Sequence, residues 1–235
     1  MTSLTELKFY VTPAHPCSYL ENRDAVTLFV DPAARIDRQT YSALSDRGFR
    51  RSGTHVYRPH CQGCTACIPL RVPVEGFKQT RSQRRIWNRN QDLQICQVAP
   101  GFTAESYDLY HRYISERHAD GDMYPPREDQ YRSFLVESRP ETVYYEFRLS
   151  GRLIAVSVVD ILRDGLSSVY TYFDPWESRR SPGVFAILWQ IEQADRLGLH
   201  YVYLGYWIKQ SRKMSYKISF RPIELYMKDS WVKLT

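Results

Sequence analysis

Between residues 143 and 204 the chain offers a fixed succession of elements, and few architectures accommodate it. Three strand-like runs, 143–149, 152–162 and 166–173, are separated only by Ser150-Gly151 and by Arg163-Asp164-Gly165. Both breaks are of the hairpin type, so the runs should be antiparallel neighbours. A helix is expected over 183–197, where Val184, Phe185, Leu188, Ile191 and Ala194 form an apolar stripe and Gly198 can cap the C-terminus. A further strand, 199–204, completes the series. The fold class is α+β, a mixed sheet flanked by helices.

N-acetyltransferases use this order of strands and helix, and the sheet is expected to be of that type, as a fold-level analogy. The upstream part is less regular. Residues 7–11 and 24–32 read as strands, 38–47 as a helix, 58–67 as a turn-rich and cysteine-rich stretch, and 68–74 as a strand. Helices over 79–92 and 104–118 flank a strand at 93–98, and Gly121, Pro125 and Pro126 break the loop that follows. The expected organisation is an N-terminal cysteine-containing region, 1–75, packing on an acyltransferase-like core, 76–235.

The tightest local spacing is Cys61-Gln-Gly-Cys64-Thr-Ala-Cys67, with Cys17 upstream. Two-residue gaps let thiolates converge on one centre, and four such ligands suit a tetrahedral zinc site or a four-iron cluster. Reduced cysteines packed beside a turn are the alternative. Cys96 sits in an apolar strand context and is assigned to the core.

A second signal lies at 78–90, where no acidic residue interrupts Arg81, Arg84, Arg85 and Arg89. Arg81, Arg85 and Arg89 recur every four residues and share one helical face. Crowded like charges favour an anion, and guanidinium grips phosphate with paired hydrogen bonds. A solvated basic face is the plain alternative. In the stretch 201–222, Tyr201, Tyr203, Tyr206, Trp207, Tyr216 and Phe220 interleave with Lys209, Arg212, Lys213, Lys217 and Arg221. Rings that stack bases and cations that meet phosphate are the ingredients of single-stranded RNA binding. A core strand followed by a basic loop would look the same.

The chain's 32 basic and 26 acidic residues leave +6, which agrees with a polyanionic partner but does not identify one. No apolar run approaches the roughly 18 residues of a membrane span, and the first residues lack the pattern of a secretory signal. A cytoplasmic protein whose five cysteines form no disulfide framework is expected. An acetyl-coenzyme A enzyme would carry a small-residue pyrophosphate cradle at the start of the main helix. Here Phe185 stands where a small residue is wanted, and Pro182 removes a backbone donor.

Several longer stretches resemble the arginyl-tRNA–protein transferase family, and more closely its short bacterial branch, which uses leucine. They are His15-Pro-Cys17-Ser-Tyr-Leu20, Phe49-Arg-Arg-Ser-Gly53, Tyr57-Arg-Pro-His-Cys61 through Cys67, Ser82-Gln-Arg-Arg-Ile-Trp-Asn-Arg-Asn90, Tyr172-Phe-Asp-Pro175, and Leu204-Gly-Tyr-Trp-Ile208 leading to Lys213-Met-Ser-Tyr-Lys217. They run in the family's order from residue 15 to 217. Two departures stand out. Leu20 follows Cys17 where eukaryotic relatives carry a second cysteine, and Pro182 stands where the family more often has Leu.

The resemblance implies an aminoacyl-tRNA donor, Leu-tRNA, and an acceptor protein with N-terminal Asp or Glu, marked thereby for degradation. Neither a membrane nor DNA is expected as a partner. The donor ester is already activated and the acceptor α-amine has a pKa of about 8, so placing the two together supplies most of the acceleration. No cofactor is needed for that chemistry. Tyr203 or Tyr206, beside Gly205, is the candidate catalytic group for the oxyanion or a proton relay. Arg81, Lys213 and Lys217 are candidates for pairing with the acceptor carboxylate. Arg84, Arg85, Arg89, Lys209 and Tyr216 are candidates for tRNA, and Cys17, Cys61, Cys64 and Cys67 for a metal. An arginyl donor, a non-catalytic RNA-binding module and a small-molecule N-acetyltransferase are the competing expectations.

Overall fold

A computed structural model describes residues 4–234. The first three residues, part of the segment read against a secretory signal, and Thr235 lie outside the described residues. The N-terminal part forms β1 (Phe9–Val11), β2 (His15–Pro16), β3 (Asp24–Ala25), β4 (Thr27–Val30), α1 (Arg38–Ser45), β5 (Arg50–Ser52), β6 (His55–Pro59) and β7 (Ile68–Pro73). Strands β1, β4, β6 and β5 make a four-stranded antiparallel sheet, while β2 and β3 pair separately. The rest forms α2 (Arg81–Arg89), β8 (Gln94–Val98), α3 (Ala104–Arg117), α4 (Glu128–Tyr131), β9 (Thr142–Leu149), β10 (Arg152–Ile161), β11 (Gly165–Phe173), α5 (Pro182–Arg196), β12 (Tyr201–Trp207), β13 (Ile223–Met227) and β14 (Ser230–Leu234).

An eight-stranded sheet in the order β14-β13-β7-β12-β11-β10-β9-β8 dominates the molecule. Among the described residues its one parallel pair is β11–β12, joined through α5. The antiparallel run β9–β10–β11 follows from its turns: Ser150 and Gly151 both take positive φ, as a tight hairpin turn requires. Side chains alternate between the faces. On β9, Tyr145 and Phe147 pack with Phe185, Leu188 and Ile191 of α5, while Tyr144 packs with Leu109, Tyr110 and Ile114 of α3. Phe185 is buried against Trp87 and Phe147, so it fills the core where a coenzyme cradle would be open. The last strand of the N-terminal stretch, β7, is hydrogen bonded inside the large sheet between β12 and β13.

Local signals set the helix starts. Asp37 caps α1 by accepting from the Thr40 amide, and Thr103 caps α3 by accepting from Ser106. Thr80 and Gln83 form a reciprocal capping box on α2. Ser181 turns into the left-handed region and Pro182 opens α5, where its missing N–H costs nothing. Among the described residues, no helix is long and apolar enough to cross a membrane.

Candidate active site

The parallel pair that organises the sheet is short. β11 and β12 are in register only over Gly165–Ser167 against Tyr201–Tyr203, yet β11 continues to Phe173 and β12 to Trp207. Both strands carry a bulge where they part. Val169 is the extra residue on β11 and Leu204 the extra residue on β12. The bulge on β12 breaks the period of two. Tyr203 and Tyr206, three residues apart, therefore fall on the same face, towards the N-terminal sheet, while Leu204 and Trp207 join the opposite core.

Arg50 enters this gap from β5. Its Nη1 donates to Ser167 Oγ (2.9 Å) and to the Tyr203 carbonyl (3.3 Å), and its Nη2 donates to the Ser168 carbonyl. A Cβ on residue 205 would meet Arg50 Nε at 3.1 Å, and Gly205 also sits at φ +76, so glycine serves both the turn of the strand and the guanidinium beside it. The neighbouring arginine points the other way, as strand alternation demands. Arg51 makes a fully buried, two-pronged ion pair with Asp160 on β10 (2.6 and 2.8 Å), which Tyr41 and Thr142 also contact.

Lys217 closes the other side of the gap. It lies in the 3-10 segment Arg212–Ser219, is partly buried, and donates to the Tyr206 carbonyl at 2.7 Å. Loss of water and then the facing Arg50 guanidinium bring its pKa down to about 7. Among the described residues neither Arg50 nor Lys217 meets a carboxylate, although fifteen ion pairs form elsewhere. Tyr216, 43% exposed, follows the same edge, and burial pushes its hydroxyl up.

The other expected site residues fall in three groups. Tyr203 and Tyr206 stand at the strand end as expected, but their hydroxyls are engaged internally. Tyr203 receives from Arg71 Nη1 at 3.1 Å and faces Asp164 and Asp46, and Tyr206 donates to the Gly48 carbonyl at 2.8 Å. Burial, before any charge, pushes both hydroxyls above their usual range. Lys213 is exposed and already paired with Asp120 (2.6 Å). Arg81, Arg84, Arg85 and Lys209 are exposed, whereas Arg89 donates to the Arg179 carbonyl and helps hold the turn before α5. The two basic segments adjoin. Gln83, whose Oε1 completes the cap of α2, donates from Nε2 to the Ser219 carbonyl at 3.1 Å. Arg50 is absent from the residues expected on sequence grounds, although two successive arginines in a strand must face opposite ways and need two different partners.

Cys17, Cys61, Cys64 and Cys67 are reduced and half-buried. Burial pushes the Cys67 thiol up to about 12, and the nearby Cys17, Cys61 and Cys64 each add to that. Cys61 also hydrogen bonds with the backbone of Val26. Among the described residues, no group of three or more His, Cys, Asp or Glu has metal-holding geometry.

A mixed sheet flanked by helices, whose parallel pair is joined through a connecting helix, defines the α+β class of this protein. The structure of L-PGS from Bacillus licheniformis shares this fold, with a TM-score of 0.51 and 11% identity over 72% of this chain and 58% of that one. The sequence narrows the class. Residues 15–85 match the family described as arginine-tRNA-protein transferase, N terminus, and residues 105–227 match its C terminus. Proteins called aspartate/glutamate leucyltransferase from Pseudomonas paraeruginosa and Pseudomonas aeruginosa are 59% and 58% identical to it, over the whole of both chains. The chain belongs to the arginine-tRNA–protein transferase family and is a transferase.

Proposed function

We propose that the protein moves leucine from Leu-tRNA to the α-amine of proteins bearing N-terminal Asp or Glu, marking them for degradation, and that it works in the cytoplasm, where charged tRNA is found. The observation that carries this reading is the junction made by Gln83, which sets the phosphate-seeking helix α2 against the segment that holds Lys217 at the sheet opening. The names borne by the full-length relatives support the choice of donor and acceptor. The short parallel pair and its opening support an N-acetyltransferase-type core.

In this reading Arg84, Arg85, Arg89 and Lys209 meet tRNA phosphates, and the exposed Tyr216 meets a base near the acceptor end. The ester carbonyl lies at the end of β12, where Tyr203 and Tyr206 act through their carbonyls, holding Arg50 and Lys217, rather than through hydroxyls already bonded elsewhere. The acceptor amine attacks the ester carbon, the ribose oxygen leaves with a proton, and correct placement supplies most of the acceleration. Lys217 receives the acceptor's carboxylate, with Arg81 and Lys213 guarding the approach. A zinc ion or iron–sulfur cluster would be held by Cys17, Cys61, Cys64 and Cys67. Thiolate sulfur is the donor such a group takes, and drawing the four cysteines together would cross-link the N-terminal loops.

Incubation with radiolabelled Leu-tRNA, or separately Arg-tRNA, and peptides starting with Asp, Glu or Ala tests the reading. Label should pass from Leu-tRNA to the Asp and Glu peptides alone. Transfer from Arg-tRNA only would replace the donor, and no transfer from either would leave an RNA-binding module. Metal analysis of anaerobically purified protein tests the cysteines.

A further inference from the structure

We propose that Arg50 is the residue that selects acidic N-termini: the acceptor's Asp or Glu carboxylate enters the opening between β11 and β12 and bridges the Arg50 guanidinium and the Lys217 amine. This rests on the reading above, that the chain aminoacylates acidic N-termini.

Charge is the first ground. A cation withdrawn from water is costly unless an anion answers it, and here two face each other with none. Among the described residues, the groups around Lys217 are Arg50 from β5, Tyr206 from β12 and Tyr216 beside it; Lys213 lies further along the segment, and Tyr113 of α3 with His118 and Asp120 just after it approach Tyr216 and Lys213. The sole acid among them, Asp120, is committed to Lys213.

Hydrogen bonding is the second. A guanidinium has five N–H donors in a fixed fork. Arg50 spends three, two from Nη1 and one from Nη2, on neutral oxygens of β11 and β12. The Nε hydrogen and one Nη2 hydrogen are left, and these two atoms can together receive a carboxylate side-on. Gly205 keeps the space beside Nε clear. Lys217 uses one hydrogen on Tyr206 and, once protonated, has two more.

Backbone geometry is the third. The bulge at Leu204 and the positive φ of Gly205 shift the period of β12, so the carbonyls of Tyr203 and Tyr206 turn to the same side and hold the two cations on one edge of the opening. A tRNA phosphate would fit the charge. Partly buried donors between two strands suit a single slender side chain better than a nucleic-acid backbone, which needs the open face that α2 offers.

Binding should therefore carry a proton signature. Lys217 is mostly neutral above pH 7 in the free protein and gains a proton when the carboxylate arrives. Calorimetry of the full-length protein with an Asp-started peptide, in buffers of different ionisation enthalpy, should show uptake approaching one proton per peptide at pH 8. An Asn-started peptide should show none, and neither should Lys217→Met with the Asp peptide. In transfer assays, Arg50→Gln should raise KM for the Asp peptide at least tenfold, leave KM for Leu-tRNA within twofold, and erase the preference for Asp over Asn. Arg50→Lys should restore part of that preference, which a merely unfolded variant would not allow.

An effect of Arg50→Gln on KM for Leu-tRNA alone would assign the pair to phosphate and overturn the proposal. Unchanged discrimination together with zero proton uptake would overturn it as well. If wild-type protein transfers nothing to the Asp peptide, the broader functional reading fails instead. Normal wild-type transfer with a normal Arg50→Gln variant removes Arg50 only.

Discussion

A lysine stripped of water and facing an arginine gives up its proton easily, and this affects stability as well as binding. Lys217 titrates near 7 in the folded protein and at its ordinary 10.5 when unfolded. Between those values the unfolded chain binds the extra proton, so this group makes stability rise with pH across that window. Below pH 7 the amine is charged in both states and its full desolvation cost remains. Lys217→Met should therefore melt higher than wild type at pH 6–7, by about 2–4 °C for each kcal/mol relieved, with the gain fading towards pH 10. The same variant should lose transfer to Asp-started peptides. Thermal denaturation across that pH range checks the first point, and an equal or lower melting temperature at pH 6 would contradict it. A group that destabilises the fold while serving the site is what a functional lysine, rather than a structural one, would be.

Among the elements, α2 makes the clearest demand on its partner. Only Gln83 is buried on it, Ile86 and Trp87 lean on the core, and Arg81, Arg84 and Arg85 project into solvent. Replacing Arg84 and Arg85 together by Ala should weaken tRNA binding and lower the slope of log affinity against log salt by about one for each phosphate that is no longer neutralised. Filter binding at several salt concentrations reads this, and an unchanged slope would exclude direct pairing with phosphate. This helix was legible in the sequence because its charges and its Thr80–Gln83 cap are local features. So were β9, β10, β11 and α5, whose turns and apolar stripe are written in adjacent residues. The closing hairpin β13–β14 was not, since Lys228 and Asp229 adopt positive φ without the glycine that normally marks such a turn. Nor was the place of β7, because nothing in Ile68–Pro73 reveals that its neighbours are β12 and β13. The site was half legible. Lys217 belongs to a basic run that stands out in the sequence, whereas Arg50 takes its meaning from Ser167, Ser168 and Tyr203, more than a hundred residues away.

Across the whole molecule, the N-terminal sheet delivers Arg50 to the opening, so its seating on the large sheet must be firm. The Arg51–Asp160 pair provides that seating, with both side chains fully out of water. Burial pushes the Asp160 carboxyl up, but the hydrogen bonds and charge of Arg51, with Thr142 and Tyr41, outweigh it and hold the group below the usual carboxylate range. A carboxyl depressed on folding contributes stability that is fully present above its unfolded pKa of about 4 and is lost as pH falls through the folded value. Asp160→Asn leaves a buried guanidinium without its anion and should cost about 3–5 kcal/mol at pH 7. In that variant stability should also vary less with pH below 4. Replacing both partners, as Arg51→Met with Asp160→Leu, should recover most of the loss, because apolar residues of similar size remove the desolvation cost along with the attraction. Urea denaturation at pH 7 and in the acid range compares the three proteins. If Asp160→Asn proves as stable as wild type at pH 7, the pair is not what seats one sheet on the other. If the double variant is stable yet fails to transfer leucine, the ion pair fixes the orientation that carries Arg50 into the opening, and the geometry of the site depends on it more than the folded state does.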